Sequence, residues 1–490
     1  MSSGEWVRWV IRGGWALALI VAVSSARGAD WPMWGGSPQR NMANTMEKNI
    51  PDSWDVATGK NIKWVAQLGS QAYGNPAVAA GKIFVGTNNQ AERQPKAKGD
   101  RGVMMCFRES DGKFLYQLTH DKLPAGRVND WPRQGICSSP CVEGNRVYYV
   151  SNRCELVCAD VEGLCEGKNV GPYKSEALTS PIDGDIVWML DMIKDLGVYP
   201  HNMSASSPVI DGDLVFILTS NGVDEGHLVV PAPEAPDFIA VNKNSGEVAW
   251  DRNDPGDKII HGQWSSPVVG VMGGQKQVIF PGGDGRLYSF VPESGKPLWS
   301  FQGNPENSVY KLGGLGTRNE IIATPVIYGN RVYFSMGQDP EHGEGPSHLY
   351  AVDGTQRGDI TKTGAVWRND EVNRALSTVA IRDGVLYHCD LSGILRAIDA
   401  DTGKVLWRYD MGAAVWSSPY YVDGKLFMGN EDGDVVIFQA GREKKVINKI
   451  NMGGSVYTTP VAANGVLYMT TRERLYAIQQ GASCDPKKVN

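Results

Sequence analysis

The sequence predicts an all-β fold: an eight-bladed β-propeller of four-stranded antiparallel blades, closed by the N-terminal strand. Between residues 376 and 419, four short apolar runs are separated by glycine-containing turns, a pattern typical of an antiparallel meander. This unit recurs along the chain, and in its last copies the spacing is about forty residues. Self-similarity at that period indicates the blades of a propeller.

The start of each unit carries the clearest repeat signal. A small polar residue precedes proline at every opening except Thr378-Val379. The openings begin at Asn75, Ser139, Ser207, Ser266, Thr324, Thr378, Ser418 and Thr459. Most fourth strands carry a tryptophan that can pack between neighbouring sheets. These are Trp188, Trp250, Trp299, Trp367 and Trp407.

The two ends of the chain predict how the ring closes. The last repeat stops near Ile478 without a tryptophan strand, and an isolated tryptophan strand at 62–65 precedes the first opening. We infer that this N-terminal strand completes the last blade. Closure of this kind leaves no open sheet edge.

The chain divides into four predicted segments. Residues 1–29 have a basic start and a short apolar run and predict a signal peptide; 30–61 form an entry segment; 62–480 form the propeller; and 481–490 form a disordered polar tail. We therefore expect a periplasmic or secreted protein with no transmembrane anchor after signal cleavage. The net charge of −6 argues against a nucleic-acid partner, because phosphate binding needs clustered basic residues.

Eight cysteines occur, and five of them cluster between residues 137 and 165. Their spacing suggests zinc, but it lacks the two-residue separation usual in zinc sites. Cys106 and Cys158 occupy a slot that alanine fills in other repeats, so they are expected to be core residues.

Loops that bear functional residues are expected on one face. In an up-and-down blade, the second-to-third loops and the blade-to-blade links share a face, and here they hold five of the seven histidines. The links predict a ligand pocket at the channel mouth, or alternatively a seal of mutually bonded loops. The candidates are Trp131, Gln134, His201, Asn202, His261, Gln263, Trp264, Arg318, Asn319, Glu320, Arg374, Trp416 and Tyr457.

Two acidic, histidine-bearing loops are candidate metal sites. Carboxylates and imidazoles suit Ca²⁺ or Zn²⁺, although neither loop matches a defined metal motif, and solvated turns are the alternative. The candidate ligands are Asp224, Glu225, His227, Asp339, Glu341, His342 and Glu344.

The repeats resemble those of the PQQ-like β-propeller family over roughly residues 60–480, most clearly at 284–299 and 393–407. The stretches 201–204, 261–267 and 337–345 are similar to those of secreted bacterial propellers. One branch of the family, the quinoprotein alcohol dehydrogenases, implies bound PQQ and Ca²⁺ and a pair of adjacent cysteines. This chain has no adjacent cysteines.

A second branch is the propeller lipoprotein of the outer-membrane barrel-assembly machinery, which implies a scaffold without a cofactor. Its lipid-attachment cysteine has no counterpart here, since no cysteine precedes Cys106. The prediction is a non-catalytic, extracytoplasmic binding or scaffold protein that holds an unknown protein or small-molecule ligand at the channel mouth. No cofactor is expected. The alternative is a PQQ-dependent oxidoreductase acting on alcohols or sugars.

Overall fold

The computed structural model describes residues 29–164 and 169–490. The predicted signal peptide therefore lies, apart from Ala29, outside the described residues, as does Cys165. In the described part, eight antiparallel sheets form a closed propeller, which confirms the predicted fold. One short α-helix, Met192–Leu196, follows the last strand of blade two. No helix in these ranges is long and apolar enough to cross a bilayer.

In blades one to seven the strands run in sequence order from the channel outward. Those of blades one to four are Ala77–Ala79, Lys82–Asn88, Arg101–Arg108 and Phe114–Asp121; Cys141–Glu143, Arg146–Val150, Glu155–Asp160 and Asp185–Asp191; Val209–Asp211, Leu214–Leu218, Phe238–Asn242 and Val248–Arg252; Val268–Met272, Gln275–Pro281, Arg286–Phe290 and Pro297–Gln302. A short strand, Gly358–Asp359, adds to the outer edge of blade four in parallel.

Blades five to seven continue the same order. Their strands are Val326–Tyr328, Arg331–Ser335, Leu349–Asp353 and Ala365–Asn369; Ala380–Arg382, Val385–Cys389, Ile394–Asp399 and Val405–Asp410; Tyr420–Val422, Lys425–Gly429, Asp434–Gln439 and Val446–Asn451. Blade eight combines both ends of the chain: Val461–Ala463, Val466–Thr470 and Arg474–Ser483 are completed by Lys60–Gln67. This pairing places Trp64 opposite Ala477 and confirms the predicted closure.

The outer-strand tryptophans join neighbouring blades, as the repeat predicts. The indole N–H of Trp188 donates to the Lys243 carbonyl at 2.9 Å, in the third-to-fourth turn of the next blade. The glycine of that turn, Gly246, has φ +79°, and a Cβ there would lie 2.8 Å from the Trp188 ring. Glycine is therefore required both by the turn and by the packed indole. Trp64 makes the same contact with Gly112 of blade one, which joins the first blade to the last.

The buried cysteines fit the core prediction. Cys106 and Cys158 lie on third strands and are fully buried among apolar side chains. Burial raises the pKa of the Cys158 thiol to about 12, because a thiolate would be poorly solvated there.

The entry segment has a role that the repeats do not reveal. Residues 31–47, here called the strap, make hydrogen bonds to all eight blades, from blade one at Trp31 to blade eight at Asn44 and Glu47. Backbone bonds join Trp31 to Val78 of blade one and Pro32 to Val142 of blade two. Further along, Ala43–Asn44 pairs in parallel with blade seven, and Glu47 accepts from backbone N–H groups of blade eight.

Arg40 fixes the middle of the strap. Its guanidinium is fully buried and donates to the carbonyls of Ser207 in blade three at 2.8 Å and Pro267 in blade four at 3.1 Å. It also donates to Trp34 of the strap at 2.9 Å. Burial lowers the pKa of Arg40 to about 10, a cost that the three hydrogen bonds must offset.

The C-terminal tail corrects one prediction. Residues 481–490 are not a disordered tail, because the last strand continues to Ser483 and Asn490 exchanges backbone hydrogen bonds with Val65 and Gln67. Polar composition suggested disorder, but these bonds use the main chain and do not depend on side-chain type.

Candidate binding site at the channel mouth

The channel mouth is built from one equivalent position in each blade-to-blade link. That position lies two residues before the small residue that opens each blade, and in every link its side chain lines the same cavity of about 380 Å³. The eight residues are Tyr73, Cys137, Ala205, Trp264, Ile322, Leu376, Trp416 and Tyr457. Because the links are adjacent around the ring, their equivalent positions converge on the axis.

The opening residues form a hydroxyl belt one step deeper in the channel. The Asn75 N–H donates to Ser139 Oγ at 2.9 Å, the Ser139 N–H to Ser207 Oγ at 3.0 Å, and the Ser207 N–H to Ser266 Oγ at 2.9 Å. Thr459 donates to Asn75 Oδ1 and so joins blade eight to blade one. Each hydroxyl that accepts in this way keeps its own proton to donate.

The strap closes the cavity from below. Trp34 lines it together with Ser139, Ser207 and Ser266 of the belt, and its backbone carbonyl is held by Arg40. Trp34 consequently forms part of the cavity wall on the side of the strap.

Aromatic rings gather on one side of the mouth. Tyr73 and Tyr457 stack with ring centroids 5.3 Å apart, and Trp416 packs 5.3 Å from Tyr457. Glu431 accepts from the Tyr457 hydroxyl at 2.9 Å and lies 3.4 Å from the Trp416 indole nitrogen. This aromatic side offers wide apolar faces, and the polar atoms of Tyr457 and Trp416 are already bonded.

Histidines gather on the opposite side, and we call His201, His227, His261, His342 and Asp339 the histidine cluster. Ring centroids lie 4.5 Å apart for His201 and His261, 4.6 Å for His227 and His261, and 4.9 Å for His261 and His342. The Trp264 indole donates to the His201 carbonyl at 2.9 Å, which joins the cluster to the cavity wall. The two acidic loops therefore reach the same mouth as the links.

Asp339 sits between two of these rings. Its Oδ2 lies 2.7 Å from His342 Nδ1 and 2.6 Å from His261 Nδ1, although the His261 N–H is not aimed straight at that oxygen. Burial opposes ionisation of Asp339, but the two histidines outweigh it and lower its pKa. The hydrogen bond to Asp339 correspondingly raises the pKa of His342.

Burial disfavours the charged form of two other imidazoles in the cluster, His201 and His227. Burial, followed by the nearby His261, lowers the pKa of His201 to about 3, and the same two causes lower the pKa of His227. Both rings are therefore neutral at pH 7.

Several predicted site residues hold loops together instead of facing the cavity. Gln263 donates to Asp237 Oδ1 at 2.6 Å and to the Asn221 carbonyl at 3.1 Å. Asn319 accepts from Arg374 Nε at 3.0 Å. These bonds match the alternative in which link residues seal the loops.

Glu320 is fully buried beneath the mouth. Its Oε2 accepts from the Gly262 N–H at 3.3 Å. Burial, followed by the charge of Asp339, raises the pKa of Glu320 well above its usual range. Burial therefore favours the protonated, uncharged form of this carboxyl.

Arg318 does not join the other candidates. Its Nε donates to Ser308 Oγ at 3.2 Å and its guanidinium lies 6.0 Å from the Tyr310 ring, so the side chain turns toward its own link. Trp131, Gln134 and Asn202 do line the cavity, together with Trp264, Trp416 and Tyr457.

The acidic candidates separate into two groups. Asp339 belongs to the histidine cluster, whereas Asp224 accepts from the backbone of Leu228 and Val229 and caps its own loop. Glu225 pairs with Arg127 at 3.4 Å. Glu341 lines the cavity from an exposed position, and Glu344 is exposed.

Sequence reasoning missed part of the lining although a signal was present. Tyr73, Cys137, Ala205, Ile322 and Leu376 share the repeat position of Trp264, Trp416 and Tyr457. Selecting only chemically distinctive residues passed over the small and apolar members. Trp34 had no such signal, because the strap does not repeat.

The fold and this site define a PQQ-like propeller with a pocket at one mouth. A family profile described as outer membrane protein assembly factor BamB matches residues 181–362 and 357–444, more than half of the chain. The chain belongs to this family. No curated protein matches it in sequence.

Two solved structures share the fold. BamB from Moraxella catarrhalis is 15% identical, with a TM-score of 0.54 over 86% of this chain and 98% of that one. A europium-containing methanol dehydrogenase is 12% identical, with a TM-score of 0.58 over 93% and 90% of the two chains. At these identities the likeness extends to the fold alone.

Proposed function

We propose that this chain is a non-catalytic, extracytoplasmic binding protein that holds an uncharged organic molecule in the channel mouth. The main support for this proposal is the cavity at the channel mouth. Its volume of about 380 Å³ lies within the ~300–1,000 Å³ typical of ligand pockets. Aromatic rings wall it, a hydroxyl belt surrounds its lower part and the strap floors it.

The polar groups of the cavity favour an uncharged ligand. The belt offers O–H donors, while Gln134 and Asn202 add amides near the rim. Such groups bind oxygen acceptors on a ligand whose apolar face stacks on Trp264 or Trp416. Sugars and neutral quinones both have this combination of an apolar face and oxygen acceptors.

PQQ fits this cavity poorly. It carries three carboxylates, yet among the described residues that line the cavity there is no lysine or arginine, and two are Asp339 and Glu341. Arg374, the nearby cation of the mouth, is already bonded to Asn319 and the His342 carbonyl. An anionic ligand would therefore lose solvation without gaining a counter-charge.

A protein partner is the second candidate, favoured by exposed apolar loop tips on the same face. Leu228 and Leu315 are 78% and 70% exposed, and Val229 and Val309 are also exposed. Loops of this kind suit a scaffold that binds through its mouth face. A partner that covered the mouth would compete with a small ligand for Trp264. The variant Trp264→Ala therefore tests binding of either kind.

The test is a titration of the full chain that follows intrinsic tryptophan emission. Neutral sugars, a short-chain neutral quinone and PQQ with Ca²⁺ serve as probes. We expect a neutral probe to quench emission and Trp264→Ala to weaken its binding at least tenfold. Tyr328→Ala, at an exposed turn on the far face, is the control. Stoichiometric PQQ binding with dye reduction by alcohols or sugars would overturn the proposal.

A further inference from the structure

Three imidazoles of the histidine cluster come from three separate segments. His201 lies in the link between blades two and three, His261 in the next link, and His227 in the long loop of blade three. Their nearest ligand atoms all lie within 4.8 Å of one another. Bringing three imidazole rings together from separate segments needs a physical reason, because imidazoles gain little from one another.

In two of these rings, His201 and His261, the Nδ1 atom faces an acceptor oxygen. His201 Nδ1 lies 2.7 Å from the Val223 carbonyl, which can only accept, so Nδ1 carries the proton. His261 Nδ1 lies 2.6 Å from Asp339 Oδ2, and the nearby negative charge favours a proton on that nitrogen, although the N–H is not aimed straight at the oxygen. With the proton on Nδ1, the Nε2 atom of each ring keeps a free lone pair, an arrangement that metal-binding histidines commonly show.

Two of the Nε2 atoms have the spacing of metal ligands. His227 Nε2 lies 3.2 Å from His261 Nε2. Two nitrogens bonded to one tetrahedral Zn²⁺ at ~2.0–2.1 Å are separated by about 3.3 Å. A hydrogen bond between these two rings would also fit this distance, but it would leave the third ring unpaired.

The third ring decides between the two explanations. His201 Nε2 is buried and has no hydrogen-bond partner. Leaving a buried acceptor unsatisfied costs about 1–3 kcal/mol. A cation shared by the three Nε2 atoms would satisfy all of them at once, whereas a single His227–His261 hydrogen bond would not.

Two glycines of a neighbouring link pack closely against rings of the histidine cluster. A Cβ at Gly313 would lie 2.4 Å from His227 Cβ, and one at Gly314 would lie 3.0 Å from His342 Nε2. The turn between blades four and five therefore passes directly over the rings, and only glycine permits this approach.

We propose that the histidine cluster binds a divalent transition-metal ion through Nε2 of His201, His227 and His261. Asp339 lies against Nδ1 of His261 and pairs with His342 on its other side. Imidazole nitrogen suits Zn²⁺, Cu²⁺ or Ni²⁺ better than Ca²⁺, which requires oxygen ligands. This proposal is independent of the organic ligand, because none of the three proposed ligand histidines lines the cavity.

The experiment uses the full chain stripped with a chelator and then titrated with Zn²⁺ by calorimetry. We expect one equivalent to bind, and Co²⁺ to give the visible absorption of a tetrahedral site. His201→Gln and His227→Gln should each lower the affinity by more than the ~10–100-fold typical of an outer-sphere partner. Asp339→Asn should lower the affinity by about 10–100-fold, as expected for an outer-sphere partner.

His348→Gln is the matched control, because this histidine pairs with Asp370 outside the cluster and should leave binding unchanged. Melting curves in chelator show whether each variant folds. His227 is only half-buried, so its substitution keeps the test decisive if His201→Gln does not fold. The proposal is overturned if the stripped wild type binds Zn²⁺ and Cu²⁺ no more tightly than His227→Gln.

Discussion

Replacing Arg40 with methionine should destabilise the whole ring, because this one side chain ties the strap to two blades. Its three hydrogen bonds come from a charged donor and contribute about 1.5–3 kcal/mol each, or roughly 4–9 kcal/mol together. The fall in its pKa from 12.5 to about 10 corresponds to a burial cost of about 3 kcal/mol. The net loss in Arg40→Met is therefore about 1–6 kcal/mol.

Urea unfolding followed by tryptophan emission measures this loss. Hydrogen exchange of peptides from residues 31–47 should quicken in parallel, because the strap loses its central anchor. Arg357→Met is the control, since Arg357 is exposed and bonds only to its own turn. A change in unfolding free energy below about 0.5 kcal/mol, the usual range for surface substitutions, together with unaltered exchange, would refute the reasoning.

Three further predictions concern the ring and its buried acid. Deleting residues 30–66 should expose the edge of Arg474–Ser483 and cause aggregation in size-exclusion chromatography; a soluble truncation of equal stability would contradict this. Asn75→Ala should cost about 1–3 kcal/mol in denaturant unfolding by leaving the Thr459 N–H unsatisfied. Burial raises the pKa of Asp237 to about 7 from 3.8, so wild-type stability should fall by up to about 4 kcal/mol as pH rises between these values and then level off. Asp237→Asn should lack that slope, and parallel pH profiles would contradict the assignment.

The repeats made the fold predictable. The opening residues and the outer tryptophans located eight blades, and the isolated strand around Trp64 located the closure. These signals work because each blade must bury the same faces against its neighbours. The strap was not predictable in this way, because Trp31, Arg40 and Asn44 make different contacts with different blades and no periodic pattern marks them.

The site was predictable in outline only. Link position correctly brought His201 and His261 to one mouth, since topology fixes where the backbone runs. It could not fix side-chain direction, and so Arg318 turns toward Ser308 and Tyr310 instead of the axis. The contact of His227 with His261 depends on the path of a long loop, which no local pattern specifies.

The contacts of the strap also constrain the order in which the propeller can fold. Its partners are spread over the whole chain: Trp31 meets blade one within fifty residues, whereas Asn44 bonds Ala462 across 418 positions. During synthesis the first contacts can form early, but the last must wait for the final blade. Such long separations slow folding. The strap can therefore make all of its contacts only after all eight blades have formed.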